Sequence, residues 1–339
     1  MPMRYATALT LLLAACMTAA VAGNVADCAR LLAGQEYDAA VTPCAEAAEM
    51  GDAGSQFNLG VLYATGKGVP ADDVKAFNWF AMAAEQGVIG AQFNLGLMYA
   101  TGRGVPRDGA GAVEWYGRSA TGGHAEAQYN LAVMYDTGDG VAPDAPKAVE
   151  WYKKAAEQGH ALAQLNLGVM YDDGRGGPED DAQAVKWYRK AAELGHSGAQ
   201  YNLGVMYANG DGVSKNDSKA VKWYLKAAEN GHDEAQYNLG VMYANGEGVT
   251  ENDGQALDWF AKAADQGHAN AQYNLGVMYT NGEGTPEDLL EAFMWVDLAA
   301  AQGEEKAESV RNLLRERLTP EQIAEAQRRS REWLERHPD

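Results

Sequence analysis

A six-residue segment recurs seven times in this chain of 339 residues, each copy 36 residues after the one before. The first copy reads SQFNLG at residues 55–60, and the others are close variants. A fixed period between about 20 and 50 residues is typical of a solenoid, in which each unit buries its apolar face only against its neighbours. We therefore expect one repeat array, although the length alone would suggest two domains.

Each repeat reads as two helices joined by turns. In the last copy, residues 269–304, apolar side chains recur at helical spacing, and Gly282 then ends the first helix in a left-handed position. Pro286 falls in the first turn of a second helix, where proline is tolerated, and Gly303 ends that helix. We predict an all-α fold, a right-handed α-solenoid of seven 36-residue helix-turn-helix repeats with helical caps.

The predicted boundaries follow from this unit. Residues 1–22 read as a cleaved signal peptide, 23–52 as an N-terminal helical hairpin cap, and 305–339 as C-terminal capping helices. In the last capping helix we expect Trp333 and Leu334 to face inward. The repeats fill residues 53–304, as 53–88, 89–124, 125–160, 161–196, 197–232, 233–268 and 269–304.

One large and one small residue keep fixed positions in the repeat. A tryptophan stands at one position of each second helix, and a small residue occupies the Gly60 position of each first helix. A small residue lets two helices approach closely, and a large one fills the space beyond it. We therefore expect the tryptophans to face inward. They are Trp79, Trp115, Trp151, Trp187, Trp223, Trp259 and Trp295.

The consensus A-x-Y-N-L-G-V-M-Y-x-x-G-x-G-V, followed by A-V-x-W-Y-x-K-A-A-E-x-G-H, resembles the Sel-1-like repeat, a relative of the tetratricopeptide repeat. The resemblance covers residues 53 to 303. It departs at Leu165, which replaces the aromatic residue of the first helix, and at Gly177, which replaces the turn valine. The resemblance implies adaptor or regulatory roles, including contact with envelope proteins or host factors.

The N-terminus has the features of an export signal. Arg4 precedes the apolar segment 6–15, which is too short to span a bilayer as a helix. An A-x-A site at residues 20–22 would release a soluble periplasmic or secreted chain that starts at Gly23. Residues 13–16 instead resemble a lipoprotein box, which would make Cys16 the lipidated first residue of a membrane-anchored protein, although the residues after it are apolar rather than polar. Both interpretations stay open, and no later stretch could cross a membrane.

Two further cysteines remain after either cleavage. Cys28 and Cys44 fall on two helices of the predicted N-terminal hairpin, at matching heights. In an exported protein they are expected to form a disulfide, worth about 3 kcal/mol by the chain-entropy estimate for a loop of about 15 residues. In the cytosol they would be two small buried thiols.

Several conspicuous residue groups are explained by the repeat itself. The Gly-x-Gly loops, such as Gly66 to Gly68, follow a helix, whereas a phosphate-binding loop leaves a strand, so a helix-ending turn is expected. The acids at 172–173 and 179–181 lack the spacing of an EF-hand. Histidines of neighbouring repeats stand at least about 8–10 Å apart and cannot share a zinc ion, so a turn or capping role is expected. These are His124, His160, His196, His232 and His268. No catalytic residue, metal site or cofactor is expected.

The best candidate for binding is the face of the first helices that does not pack on the second helices, which would line the concave side of the solenoid. Asparagine offers a donor and an acceptor to a peptide backbone, and tyrosine offers contact area at low entropy cost. The same rows could knit neighbouring repeats together, and the two roles can coexist. The rows are Asn58, Asn94, Asn130, Asn166, Asn202, Asn238 and Asn274, with Tyr129, Tyr201, Tyr237 and Tyr273 beside Phe57 and Phe93.

The charge of the chain constrains its partner. There are 27 basic and 47 acidic residues, a net charge of −20, which repels nucleic acid and anionic lipid. Tetratricopeptide domains that grip a C-terminal carboxylate use Lys or Arg in the groove, whereas here the groove positions are neutral or acidic. We therefore expect a neutral or basic protein or peptide. The acidic positions are Glu126, Asp136, Asp172, Asp173 and Glu234.

Three hypotheses for function remain. The first is a non-enzymatic interaction scaffold of the bacterial envelope that binds a partner segment along the concave face. The second is an envelope enzyme of the β-lactamase-like or cell-wall hydrolase type; some cysteine-rich relatives carry that label, but they have a cysteine pair in each repeat and this chain has none. The third is an assembly factor anchored by a lipid on Cys16.

Overall fold

The computed structural model describes residues 21–337, and all secondary structure in this range is helical. A first helix, α1, covers 21–33. The others are α2 (Tyr37–Glu49), α3 (Ala53–Thr65), α4 (Asp73–Glu85), α5 (Ile89–Thr101), α6 (Gly109–Thr121), α7 (Ala125–Thr137), α8 (Ala145–Glu157), α9 (Ala161–Asp172), α10 (Asp181–Glu193), α11 (Ser197–Asn209), α12 (Asp217–Glu229), α13 (Asp233–Asn245), α14 (Asp253–Asp265), α15 (Ala269–Asn281), α16 (Leu289–Ala301), α17 (Glu305–Arg317) and α18 (Pro320–Arg336). Within residues 21–337 no helix has both the length and the apolar character needed to cross a membrane.

The helices alternate in the predicted way. The odd-numbered helices α3 to α15 are the first, or A, helices of the seven repeats, and the even-numbered helices α4 to α16 are the second, or B, helices. The predicted helix-turn-helix repeats are therefore confirmed. The caps keep the same register, because α2 begins 36 residues before α4 and α17 begins 36 residues after α15.

The chain forms two compact units. The N-terminal unit runs to Ala163 and includes residues 175–177. The C-terminal unit comprises residues 164–174 and the chain from Pro178 onward. Each unit has its own apolar clusters, built from the facing sides of its A and B helices.

The turns inside a repeat explain the paired glycines. Gly66 ends α3 with φ 68°, a left-handed conformation that a side chain disfavours. At Gly68 a Cβ atom would lie 2.5 Å from the carbonyl oxygen of Tyr37 in α2, so the loop packs directly on the backbone of that helix. Asp72 then caps the N-terminus of α4, where its side chain accepts a hydrogen bond from the Lys75 amide. The Gly-x-Gly loops are thus the helix-ending turns that the sequence predicts.

A glycine row inside the A helices allows the closest helix contacts. A Cβ atom at Gly204 would lie 2.6 Å from the ring of Tyr224, and one at Gly240 would lie 2.6 Å from Phe260. The aromatic ring of the B helix therefore rests against the backbone of the A helix. In the third repeat Ala132 takes the glycine position, so one methyl group is accommodated there.

The tryptophans face inward, as predicted. Trp115, Trp187 and Trp259 are buried, and the other four repeat tryptophans are half-buried. A basic residue three positions later covers the ring in several repeats; the Lys154 Nζ lies 3.9 Å from the ring centroid of Trp151. This cation–π contact shields the part of the ring that packing leaves accessible.

The C-terminal cap corrects one expectation. Trp333 of α18 is 5% exposed, and its indole Nε1 donates to Asp265 at 3.4 Å. The prediction that Leu334 also faces inward is wrong, since its side chain is 49% exposed. Consecutive residues of an α-helix point about 100° apart, so both cannot face the same neighbour.

Candidate functional site

The aromatic row of the A helices is stacked between repeats. Tyr129 lies against His160, the residue that precedes the next A helix, with ring centroids 4.6 Å apart. Tyr129 also contacts Tyr152 of its own repeat's B helix, at 5.9 Å. The histidine stacking recurs at Phe93–His124, Tyr201–His232 and Tyr237–His268. These rings are half-buried, so each offers only part of its surface to a partner.

The histidine row lies in the turns before the A helices, and three of its five members have the capping role expected from the sequence, whereas His196 and His232 make no capping hydrogen bond. The Nδ1 atoms of His124, His160 and His268 accept hydrogen bonds from backbone amides in the first turns of α7, α9 and α15. The His160 Nε2 lies 2.9 Å from Glu126, which ties the A helices of two neighbouring repeats together. Among residues 21–337 no group of three or more His, Cys, Asp or Glu side chains could hold a metal ion.

The asparagine row also joins neighbouring repeats. Asn130 is a hydrogen-bond partner of the Tyr116 hydroxyl in the preceding B helix, and Asn202 and Tyr188 repeat the arrangement. Burial raises the pKa of Tyr116 to about 12, so this phenol keeps its proton at neutral pH. For Asn94, the preceding B helix carries Phe80 in place of the tyrosine. The Asn94 side chain donates instead to the carbonyl of Gly90 at 2.8 Å.

The aromatic and asparagine rows therefore join neighbouring repeats, which is one of the two roles that the sequence left open. All seven asparagines are half-buried, and six of them have hydrogen-bond partners on neighbouring helices or in their own helix: Asn58, Asn94, Asn130, Asn202, Asn238 and Asn274. Contact with a partner through these rows stays a prediction. The surface open to a partner lies beside them, and Asn274 takes part in it.

A buried glutamine row is the element that the sequence reasoning missed. The Gln236 Nε2 donates to the Ala228 carbonyl at 3.1 Å, and its Oε1 accepts from the Gln266 side chain at 2.7 Å. The signal in the sequence was a glutamine that recurs at the same position of all seven repeats, two residues before the asparagine. These glutamines satisfy carbonyls at the ends of B helices, which have no partner within their own helix. The row is Gln56, Gln92, Gln128, Gln164, Gln200, Gln236 and Gln272.

An acidic cleft lies between α13 and α15 in the C-terminal unit. Its volume is about 480 Å³. Val241, Phe260 and Val277 line its apolar part, and Asn245 and Asn274 contribute amides. Three carboxylates complete the lining: Glu251, Asp253 and Glu283. None of them forms an ion pair with another described residue.

An apolar groove of about 420 Å³ continues the same face between α15 and α17. Val277 lines both the cleft and the groove, so the two are adjacent. Val310, Leu313 and Leu314 line it, and while Leu314 is buried, Leu313 is 62% exposed. Since α17 occupies the position of an eighth A helix, these residues replace the asparagine, valine and methionine of a regular repeat.

The acids in the middle of the chain have internal partners. Asp136 forms an ion pair with Arg175 at 2.7 Å. Asp172 accepts a hydrogen bond from the Tyr188 hydroxyl at 3.0 Å. Burial raises the pKa of Asp172, and the negative charge of Asp173 adds to that shift. These carboxylates are therefore partly committed to the fold.

Cys28 and Cys44 are joined by a disulfide between α1 and α2, with their Cα atoms 4.8 Å apart. The bonded sulfurs are buried, and the Asn58 amide points at the sulfur of Cys28 at 3.8 Å. The disulfide therefore belongs to the seam between the N-terminal cap and the first repeat. Cys16, the candidate lipidation residue, lies outside the described residues.

Comparison with protein families identifies the repeat. The Sel1 repeat model matches seven consecutive segments of the chain. No curated protein matches the chain significantly. The matched segments are 53–88, 89–124, 125–160, 161–196, 197–232, 233–268 and 269–304.

Solved structures give the same result. A Sel1 repeat protein from Oxalobacter formigenes is 38% identical, and the alignment covers 82% of this chain and 80% of that chain with a TM-score of 0.66. A protective antigen present in uropathogenic Escherichia coli strains, which displays the same repeat fold, is 32% identical over 88% of this chain and 80% of that chain, with a TM-score of 0.45.

Proposed function

Because the chain belongs to the Sel1 repeat family, whose repeats are used for protein binding, we propose that it is a non-enzymatic scaffold that binds a segment of a partner protein. The binding surface is the A-helix face of the C-terminal unit. This surface consists of the acidic cleft between α13 and α15 and the apolar groove between α15 and α17.

One observation carries the proposal: the adjacent cleft and groove combine exposed apolar surface with carboxylates that no internal cation neutralises. Elsewhere on the A-helix face, polar side chains such as Glu126, Asp136 and Asn202 bond to neighbouring repeats. Exposed apolar surface rimmed by polar groups is typical of protein–protein interaction sites. A partner that supplied an apolar side chain and a positive charge would satisfy both parts.

The acidic surface favours a neutral or basic partner and disfavours nucleic acid. The chain carries a net charge of −20, and the cleft adds three carboxylates at one place. Binding should therefore weaken as salt is added, because the Debye length falls from about 10 Å at 0.1 M salt to about 3 Å at 1 M.

The proposed place of action is the bacterial envelope, in the periplasm or outside the cell. The leader-like N-terminus supports export, and a disulfide is favoured in oxidising compartments. Mass spectrometry of the mature protein tests this directly. A first residue Gly23 supports the soluble exported form, a lipidated Cys16 supports the anchored form, and an intact N-terminus in cells contradicts export.

The absence of enzymatic activity is part of the proposal. Four of the five repeat histidines stack on aromatic rings, three of them also cap a helix, and no observation favours a hydrolytic role over binding. Assays of the pure protein on β-lactams and on peptidoglycan test this. The proposal expects no turnover above the buffer rate, and turnover that persists through repeated purification would contradict it.

Site-specific photo-cross-linking in the native cell tests the binding surface. A photoreactive residue replaces Leu313 in the groove, and a matched variant carries it at Val74, an apolar residue of α4 that is 57% exposed. We expect a discrete protein adduct from position 313 that is absent from position 74, and the purified adduct protein should bind the purified chain. Equal adducts from both positions, or no adduct from position 313, would contradict the surface assignment.

A further inference from the structure

The molecule contains a second copy of the acidic cleft in which the charge of the loop residue is reversed. Residues of the first and second repeats lie 180 positions, or five periods of 36, before those of the sixth and seventh. At matching positions the two copies share an aspartate at the start of a B helix, a phenylalanine and an asparagine. The pairs are Asp73 with Asp253, Phe80 with Phe260, and Asn94 with Asn274. At the loop position Arg103 stands in the N-terminal unit, and Glu283 stands in the C-terminal unit.

Arg103 shows what this arrangement binds. Its Nη2 donates to the Asp73 carboxylate at 2.6 Å, and its Nε donates to the other oxygen of the same carboxylate at 3.4 Å. The same Nη2 also reaches the Ala64 carbonyl at 3.5 Å. A carboxylate that accepts two bonds from one guanidinium is a strong and directional contact. The repeat therefore builds a guanidinium site from a B-helix carboxylate and an A-helix carbonyl.

The C-terminal copy keeps the acceptors and lacks the guanidinium. Asp253 and Ala244 stand where Asp73 and Ala64 stand, and both line the cleft. Glu283 replaces the arginine, and its carboxylate accepts a hydrogen bond from the Asn281 amide at 3.0 Å. Glu251 replaces Ala71 and adds a further carboxylate. A guanidinium in this cleft would meet more negative charge than Arg103 does.

The neighbouring copy of the cleft, one repeat earlier, is neutralised from within. There Asp217 takes the position of Asp253, and the Lys215 Nζ lies 3.6 Å from its carboxylate. Tyr224 takes the position of Phe260, and its hydroxyl is a hydrogen-bond partner of Asn238. Since Phe260 has no hydroxyl, Asn274 keeps only Tyr237 as a tyrosine partner, and Phe260 and Asn274 both line the cleft.

We infer that the cleft between α13 and α15 binds an arginine side chain of the partner protein. The methylene part of that arginine packs on Val241, Phe260 and Val277, and its guanidinium bonds to Asp253 and Glu283. An aliphatic residue of the same segment enters the groove at Leu313. Packed helices lie about 8–10 Å apart, and an extended chain advances about 3.3 Å per residue, so the two partner residues are about three positions apart. This inference rests on the proposed function.

Short fluorescent peptides with the cores Arg-Ala-Ala-Leu and Leu-Ala-Ala-Arg test the inference, because the direction of the segment is open. Citrulline, which has the shape of arginine without its charge, replaces arginine in matched peptides. Fluorescence anisotropy should show that one arginine peptide binds about tenfold or more tightly than its citrulline form, as expected for a charge-assisted contact. Equal affinity of the arginine and citrulline peptides would overturn the inference.

Three variants of the full chain locate the contact. Glu283→Arg recreates the Arg103 arrangement and should abolish binding, because the chain then fills its own cleft. Asp253→Asn should weaken binding about tenfold. The control Asp217→Asn removes a carboxylate that Lys215 already neutralises and should leave the affinity unchanged. If Glu283→Arg and Asp253→Asn both bind like the parent while their circular dichroism is unchanged, the inference fails.

The outcome is separable from that of the proposed function. A specific adduct at position 313 together with arginine-independent peptide binding would keep the scaffold and reject the guanidinium cleft. Loss of the adduct together with tight arginine-dependent binding would keep the cleft and reject the groove as the partner's surface.

Discussion

The N-terminal and C-terminal units use the same repeat but differ in the loop that follows each A helix, where three of four residues are basic in the N-terminal unit and all three equivalent residues are acidic in the C-terminal unit. In the N-terminal unit Arg103 and Arg175 reach back to acids of an earlier repeat, at 2.6 and 2.7 Å. In the C-terminal unit the equivalent residues are acidic, and each accepts a bond from an asparagine two residues earlier. These pairs are Asn209–Asp211, Asn245–Glu247 and Asn281–Glu283. In the first and second repeats the loop residue Arg103 occupies the cleft from within, whereas in the sixth and seventh repeats Glu283 stands at this position and the cleft holds no internal guanidinium.

The two ends differ in a similar way. The N-terminal cap is held to its neighbour helix by the Cys28–Cys44 disulfide. The C-terminal cap uses side-chain contacts instead, with Trp333 against Trp295 and Arg329 bonded to Glu291 at 2.8 Å. A covalent link constrains the unfolded chain, whereas the packed tryptophan and the ion pair act only in the folded state.

The largest effect should come from the disulfide. Replacing both Cys28 and Cys44 by serine should cost the N-terminal unit about 3 kcal/mol, because the link closes a loop with a sequence separation of 16. Reducing agent should lower the thermal midpoint of the parent and leave that of the serine variant unchanged. Hydrogen exchange resolves the two units. Equal loss of protection in both units would contradict the assignment of this effect to the N-terminal end.

The glycine row should give the next effect. Gly240→Leu forces a side chain into the ring of Phe260 and should destabilise the C-terminal unit by about 2–3 kcal/mol. Gly240→Ala should cost less, because Ala132 already occupies the same position in the N-terminal unit. Urea unfolding followed by circular dichroism measures both. A leucine variant as stable as the alanine variant would show that the ring does not rest on this backbone.

The glutamine row should separate repeats with two hydrogen bonds from repeats with one. Gln236→Met removes the bond to Ala228 and leaves Gln266 without its acceptor, at a cost of about 1–3 kcal/mol. Gln92→Met should cost less, since Gly122 at the matching cap position has no side chain to donate. Chemical unfolding of the two variants provides the comparison, and a larger loss at Gln92 would reverse the proposed role of the second bond.

The smallest effect concerns two equivalent aspartates, Asp136 in the N-terminal unit and Asp172 in the C-terminal unit. Asp136 is paired with Arg175, so Asp136→Asn should cost up to about 1 kcal/mol. The pKa of Asp172 is raised by burial, so its ionised form is disfavoured in the folded state. Its unfavourable contribution appears as pH rises from 3.8, the ordinary pKa of an aspartate, through the raised pKa of the folded state. Asp172→Asn should therefore stabilise by about 0.5 kcal/mol or less at pH 7 and have no benefit below pH 4. A benefit that grows on acidification would contradict this sign.

The sequence alone predicts most of the fold, because a period of 36 residues leaves few alternatives. Residues equivalent to Gly66 mark the end of each A helix, and residues equivalent to Asp72 mark the start of each B helix. It does not decide what the asparagine and tyrosine rows do, since that depends on how closely the next repeat approaches. The buried glutamines were missed because a polar residue within the repeat motif carries no sign of its partners eight and thirty residues away. The cleft was missed because Glu283 stands out only beside Arg103, whose bond to Asp73 is a tertiary contact.

The stoichiometry of an Arg103→Glu variant tests the central claim, that the Arg103 guanidinium occupies a site which the cleft of the C-terminal unit offers to a partner. The substitution removes the internal guanidinium from the N-terminal unit and leaves Asp73 with an acidic neighbour, as in the C-terminal unit. Equilibrium dialysis with the peptide acetyl-Ala-Ala-Arg-Ala-Ala-amide counts the sites. The account predicts one more bound peptide per variant chain than per parent chain; an unchanged count in the folded variant would contradict it.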